Sequence, residues 1–105
     1  MEQPNLDYFL KLSHENAGFK QKLIDVIKHE LPLEIAVYEE HIKKNDLKKA
    51  AESVHKLKHK VGVLGMEKGY CEVEQYERNL KEGNKTLQFE FEQTIRIIDQ
   101  FVKLL

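Results

Sequence analysis

Residues 46–65 read DLKKAAESVHKLKHKVGVLG, and this stretch carries the most regular helical pattern in the chain. Its apolar residues recur at steps of three and four, which is the period of one face of an α-helix. They are Leu47, Ala50, Ala51, Val54, Leu57, Val61 and Leu64. Asn45 and Asp46 form a loop and cap signal before the pattern, and Gly65 ends it. The stretch therefore predicts an amphipathic helix with a capped start and a glycine end.

Similar patterns lie on both sides of this helix. A long one runs from about Asn16 to Lys44, and Pro32 within it predicts a kink, or two helices that meet near Leu31. Its apolar positions are Phe19, Leu23, Val26, Ile27, Leu31, Ile35, Tyr38 and Ile42. The patterns that follow consist of Met66, Tyr70, Val73, Tyr76 and Leu80, and then of Leu87, Phe91, Ile95, Ile98, Phe101 and Leu105. Asn5 can cap a short opening helix with Leu6, Phe9, Leu10 and Leu12 as its apolar residues.

These helices predict an all-α fold. Four amphipathic helices with short connections cannot bury their apolar faces singly, so we expect an antiparallel four-helix bundle with a short N-terminal capping helix. The 105 residues, of which 41% are hydrophobic, fit one domain over residues 1–105. Five glycines and two prolines argue against collagen-like and turn-rich all-β chains.

Composition also narrows the class of function. A net charge of −1 argues against a general nucleic-acid-binding protein, because phosphate binding normally requires a strongly basic domain. The longest uninterrupted apolar run, residues 61–66, is too short to span a membrane and includes two glycines. Cys71 is the only cysteine, which excludes an intramolecular disulfide and a cysteine-based zinc site. We therefore expect a cytoplasmic protein without a membrane segment.

The central helix has a second, polar face. At about 100° per residue its helical period brings five residues to this face, away from the apolar one. They are Lys48, Glu52, His55, His59 and Gly62. Lys58 lies between the two faces, one turn from His55, and is expected to border the core. Residues 43–60 hold seven lysines against two acids, so this face belongs to a basic surface.

The same helix carries a motif. The order A-x-x-x-H-x-L-K runs over residues 51–58, and Gly65, Cys71 and Glu77 follow it. These residues resemble the histidine-containing phosphotransfer (HPt) domain, and the resemblance covers nearly the whole chain. A proline within the long helix and a bundle of this length also occur in that family. The resemblance implies a carrier in which His55 accepts a phosphoryl group from a receiver-domain aspartate and passes it to another receiver.

Roles for the neighbouring residues follow from that resemblance. Lys58 would compensate the phosphate charge on His55. The partners would be receiver domains of response regulators, with a hybrid sensor histidine kinase as a further partner, and the chain itself would be a monomer. Its receiver-binding residues would be Lys48, Glu52, Lys56, His59 and Gly62. The resemblance implies no cofactor on this chain, since Mg²⁺ belongs to the receiver, and the sequence holds no G-x-x-x-x-G-K phosphate loop for ATP.

Two alternatives stay open because the motif is matched incompletely. The family usually has glycine directly after the lysine and a small residue two positions later, where this chain has His59 and Val61. A degenerate HPt-like bundle that binds receivers without phosphotransfer would fit this departure. A surface metal site of Glu52, His55 and His59 is the second alternative. Di-iron bundles need a Glu-x-x-His sequence on each of two helices, and this chain has only one.

Overall fold

The computed structural model describes residues 2–14 and 16–105, apart from the side chain of Ser13. The described residues form helices and loops with no strand. The helices are α1 (Asp7–Ser13), α2 (Ala17–Lys43), α3 (Leu47–Val63), α4 (Glu67–Lys81) and α5 (Gln88–Lys103). The all-α class predicted from the sequence is therefore confirmed. No helix in the described residues combines the length and the apolar character that crossing a membrane requires.

Side chains cap the starts of α2 and α3, the second of them at the predicted Asp46, whereas the N-cap of α1 is Leu6 and not the predicted Asn5. The Asn16 side chain accepts a hydrogen bond from the Phe19 backbone N–H at 3.0 Å, and the Asp46 side chain accepts one from Lys49 N–H at 3.2 Å. Asn5 lies just outside α1, and its side chain accepts a hydrogen bond from the N–H of Asp7. Each of these bonds satisfies a backbone donor that the first turn of a helix leaves without a partner.

α2 continues through Pro32 as a single helix, so the alternative of two helices meeting near Leu31 is wrong. A proline removes one backbone hydrogen bond from a helix. Leu31 and Tyr38 are both buried on the core side of α2, before and after the proline. Their packing stabilises the helix on both sides of Pro32.

α3 is the most deeply buried helix, and it packs most extensively against α4 and α2 and also contacts α5. Every apolar residue predicted for its core face is buried or packed against the core. The prediction was wrong for Phe19 and Val26 of α2, for Leu10 and Leu12 of α1 and for Leu105, all of which are exposed. Phe19 and Val26 belong to a second apolar face of α2 that lies outside the core.

A polar network ties α2, α4 and α5 together beside the core. The Tyr38 hydroxyl lies 2.7 Å from the Tyr76 hydroxyl and donates to the Glu92 carboxylate at 3.0 Å. Burial, followed by the bond with Tyr76, raises the pKa of Tyr38 far above its ordinary value, and burial raises the pKa of Tyr76 to about 12. Both phenols therefore stay neutral and able to donate across the physiological range.

The N-terminal segment is fastened to the turn between α3 and α4. The backbone N–H of Asn5 donates to the Leu64 carbonyl at 2.7 Å. The Glu2 carboxylate accepts hydrogen bonds from the N–H groups of Lys68 and Gly69, at the positive end of the α4 dipole. Gly65 closes this turn with a φ of +81°, and the Asn5 side chain occupies the space that a Cβ at Gly65 would need.

Candidate functional site

The polar face predicted for α3 is present. The side chains of Lys48, Glu52, Lys56 and His59 are exposed, and 53% of the His55 side chain is exposed. Gly62 is half-buried because the ring of Tyr70 lies over it, 3.1 Å from where a Cβ would stand. Lys58 does more than border the core, since it is buried with only 7% of its surface exposed.

His55 is held by a carboxylate from the neighbouring helix. Its Nδ1 atom lies 3.0 Å from Oε2 of Glu77 and 3.3 Å from Oε1. Glu77 lies in α4 and is buried. The helix pair α3 and α4 therefore fixes the imidazole from below while leaving its outer part open to solvent.

Glu77 is the centre of a buried charge cluster. Its carboxylate accepts from Lys58 Nζ at 3.1 Å and from Lys81 Nζ at 3.2 Å, in addition to its contact with His55. Burial alone would raise the pKa of this carboxyl. The hydrogen bonds from Lys58, Lys81 and His55 outweigh burial and hold the pKa below its ordinary value of 4.5. Glu77 is therefore an anion at neutral pH.

The charge of Glu77 fixes the tautomer of His55. An ionised carboxylate can only accept hydrogen bonds, so the Nδ1 atom of His55 must be the donor. In the neutral ring the proton then resides on Nδ1, and Nε2 carries the free lone pair. Nε2 makes no hydrogen bond to the part of the chain that the structure describes. A neutral imidazole in this state presents a nucleophile to solvent.

His59 stands next to this nucleophile, one turn further along α3. The two imidazole rings meet edge to face, with 5.0 Å between their centroids and 89° between their planes. His59 is exposed and takes no part in the Glu77 cluster. It can therefore influence what approaches His55 without changing how His55 is held.

A groove of about 950 Å³ runs along α3 and α4 beside His55. Its apolar lining comes from Leu47, Ala51 and Leu80, and its charged lining includes Lys48, Glu52, Lys56 and Lys81 together with Glu77. Three lysines around an apolar floor suit a partner with an acidic rim and an apolar centre. The groove opens directly onto the histidine.

The arrangement of Glu52, His55 and His59 does not support the surface metal site considered as an alternative. In residues 2–14 and 16–105, no three or more His, Cys, Asp or Glu side chains come together as a metal-binding group. His55 directs one ring nitrogen at Glu77, while Glu52 lines the grooves on both sides of α3. Cys71 is exposed on α4.

Sequence reasoning placed Glu77 in the family motif but gave it no role at the site, and it overlooked Lys81. The available signal was the spacing of four residues between Glu77 and Lys81, which brings the two onto one helix face. The link from Glu77 to His55 has no such local signal, because it depends on how α4 packs against α3.

Compared with known proteins, the chain matches no family model, no curated protein and no solved structure. A functional assignment therefore depends on the geometry of the His55 site and on the motif around it.

Proposed function

We propose that this chain is a cytoplasmic histidine phosphotransfer domain of a two-component phosphorelay, with His55 as the residue that carries the phosphoryl group. In this proposal residues 1–105 are one domain. The helices α2 to α5 form an antiparallel four-helix bundle, and α1 covers part of it. The chain acts as a phosphocarrier between receiver domains.

One observation carries the proposal. A solvent-exposed imidazole is oriented by a buried, ionised carboxylate, so that Nδ1 holds the proton and Nε2 holds the lone pair. Burying Glu77, Lys58 and part of Lys81 carries a desolvation penalty that simple packing would avoid. The arrangement supports nucleophilic chemistry at His55.

The transfer step balances without any group beyond a receiver's aspartyl phosphate. The Nε2 lone pair of His55 attacks phosphorus and forms a P–N bond, while the P–O bond to the aspartate breaks and the carboxylate leaves with its electron pair. The phosphorylated imidazole keeps its proton on Nδ1 and gains positive charge. Glu77 stabilises that charge through the existing hydrogen bond. The reverse sequence delivers the phosphoryl group to a second receiver.

Positioning and charge neutralisation are the main requirements of phosphoryl transfer, and the partner supplies part of them. A receiver contributes its acidic pocket and Mg²⁺, so this chain needs no metal ligands. Lys48, Lys56 and Lys81 border the groove beside His55 and would attract such an acidic pocket. We propose that the receiver docks over this groove, with Glu52, His59 and Gly62 at the edge of its footprint.

Lys58 has a different role in this proposal from the one expected from the motif. Its ammonium group is 3.1 Å from Glu77, and its stem is buried. Lys58 therefore acts on His55 through Glu77, by keeping that carboxyl ionised. We describe Lys58 as a positioning residue for the transfer.

A second candidate function rests on His59. Its ring lies 5.0 Å from the ring of His55, at the position where the HPt family usually has glycine. A bulky side chain there favours a degenerate module that binds receivers without accepting phosphate. The two candidates differ in chemistry at His55 and share the same docking surface.

The deciding experiment incubates the chain with a panel of phosphorylated receiver domains and measures its intact mass without acid, since phosphohistidine is acid-labile. We expect a gain of one phosphoryl group in the wild type and none in His55→Gln. His59→Gln is the matched control, because it lies on the same exposed face, and it should be labelled. Labelling of His55→Gln would overturn the assignment. Complex formation with receivers but no labelling of the wild type would favour the degenerate module.

A further inference from the structure

α2 carries an exposed apolar stripe outside the core, and its C-terminal half borders α3. Phe19, Val26, Leu33 and Val37 are each 44–58% exposed. At about 100° per residue these four positions fall within an arc of about 40° and extend over about 27 Å of helix. Exposed apolar side chains aligned on one face of a helix indicate a contact surface.

The charges of α2 are divided along its length. Residues 17–29 hold three lysines against one aspartate, whereas residues 30–43 hold four glutamates against one lysine. A second α2 in the same direction would place like charges together. In the opposite direction, the basic half of each helix meets the acidic half of the other. The charges of α2 are therefore complementary to those of a second α2 that runs in the opposite direction.

We propose that the chain forms a homodimer in which α2 packs antiparallel against α2 of a second copy through this stripe. Lys22 and Glu40 lie on the same edge of the stripe, each about 60° around the helix from Phe19. A two-fold axis level with Leu31 brings Lys22 of each copy to Glu40 of the other. Both side chains are exposed, and Lys22 makes no ion pair in the described residues. Glu40 is paired with Lys44 of its own helix at 3.1 Å, and in the dimer it would exchange this exposed partner for Lys22 or share it.

One charged residue lies on the stripe itself. Glu30 falls between Val26 and Leu33, where an unpaired carboxylate would oppose burial. Its carboxylate is 3.4 Å from Lys60 Nζ on α3, which compensates its charge within the same copy. The stripe therefore remains compatible with an apolar contact.

The dimer departs from the monomer expected from the sequence resemblance and is independent of phosphotransfer. Phe19 and Val26 were counted there as core residues of the bundle, and their exposure is what creates the second face. His55 lies on α3 and is not part of the stripe. Each copy thus keeps its own phosphotransfer site.

Sedimentation velocity over a wide range of concentrations tests the dimer. The wild type should sediment with twice the mass of one chain at high concentration. Lys22→Glu and Glu40→Lys should each raise the dissociation constant by about tenfold or more, because each places like charges together at both ends. The double variant Lys22→Glu/Glu40→Lys should restore dimerisation, since it exchanges the two charges. Failure of this rescue would overturn the antiparallel pairing.

Substitution of exposed apolar residues by lysine, on the stripe and at a control position, completes the test. Val26→Lys/Val37→Lys should yield a monomer with unchanged helicity, because both side chains are exposed. Phe89→Lys is the control, since Phe89 is 67% exposed but lies on α5. It should leave the dimer intact. A wild type that stays monomeric at every concentration, or a dimer that survives Val26→Lys/Val37→Lys, would overturn the proposal.

Discussion

His55 and Glu77 form a hydrogen bond of 3.0 Å in which the exposed partner is the imidazole and the buried partner is the carboxylate. This asymmetry has a chemical consequence. The carboxylate is largely shielded from water, so it can hold the Nδ1 proton throughout a reaction at Nε2. Two lysines keep it ionised, Lys58 from within the protein and Lys81 from the surface.

Glu77→Gln should lower the free energy of unfolding by about 2 kcal/mol at neutral pH, because it removes the nearest anionic partner of buried Lys58 and leaves only Glu74, at 3.9 Å. The difference from the wild type should depend on pH. Since the pKa of Glu77 is lowered by folding, its stabilisation is complete above pH 4.5 and is lost as the pH falls through the lower folded value. Urea denaturation between pH 2 and pH 7 measures this, and a pH-independent difference would contradict it.

The contributions of Lys58 and Glu77 to stability should be strongly coupled. Lys58→Met keeps the buried stem and removes the charge, so we expect a loss of stability of about 2 kcal/mol. The double variant with Glu77→Gln should be less destabilised than the sum of the single variants, by about 1–2 kcal/mol. Additive losses would show that the 3.1 Å ion pair contributes no stability. Transfer rates should fall in both single variants, because His55 loses its ionised acceptor.

His59→Gly should keep phosphotransfer and broaden the set of receivers that react. The imidazole adds bulk beside His55 where a receiver loop would dock, so its removal relieves a steric restriction. His59→Ala is the control for backbone effects, since glycine within a helix costs about 1 kcal/mol relative to alanine. Transfer rates with several receivers measure the effect. Identical receiver preference in the wild type and both variants would remove His59 from partner selection.

Gly65→Ala should destabilise the chain more than Gly83→Ala. Both glycines have a positive φ, so each substitution introduces backbone strain of about 1 kcal/mol or more. A Cβ at Gly65 also collides with the Asn5 side chain, whereas a Cβ at Gly83 meets nothing within 4 Å. The difference in thermal midpoint therefore reports the attachment of the N-terminal segment. Equal midpoints would show that Asn5 moves aside without cost.

The helices could be predicted from the sequence because their signals are local. The apolar pattern of residues 46–65 with its cap signal at Asp46, and the long pattern from about Asn16 to Lys44, correspond closely to the observed α3 and α2. Exposure of His55 followed from the same helical period. These features depend on neighbours within one or two turns.

Features that depend on packing between helices were missed. Lys58 is buried because Glu77 of α4 supplies a charge beneath it, and nothing near Lys58 in the sequence indicates that partner. The exposure of Phe19 has a geometric origin. α2 has 27 residues and α3 has 17, so α2 extends about 15 Å beyond the length of its main partner.

The position of the phosphoryl group on the imidazole tests the central claim most directly. We predict that a phosphorylated receiver modifies His55 at Nε2, while Nδ1 keeps its proton and its bond to Glu77. Long-range proton–nitrogen NMR spectra of the ¹⁵N-histidine-labelled, phosphorylated chain distinguish the two nitrogens. Phosphate on Nε2 of His55 is the expected result. Phosphate on Nδ1, or on His59, would contradict the account, because the first requires breaking the Glu77 bond and the second bypasses it.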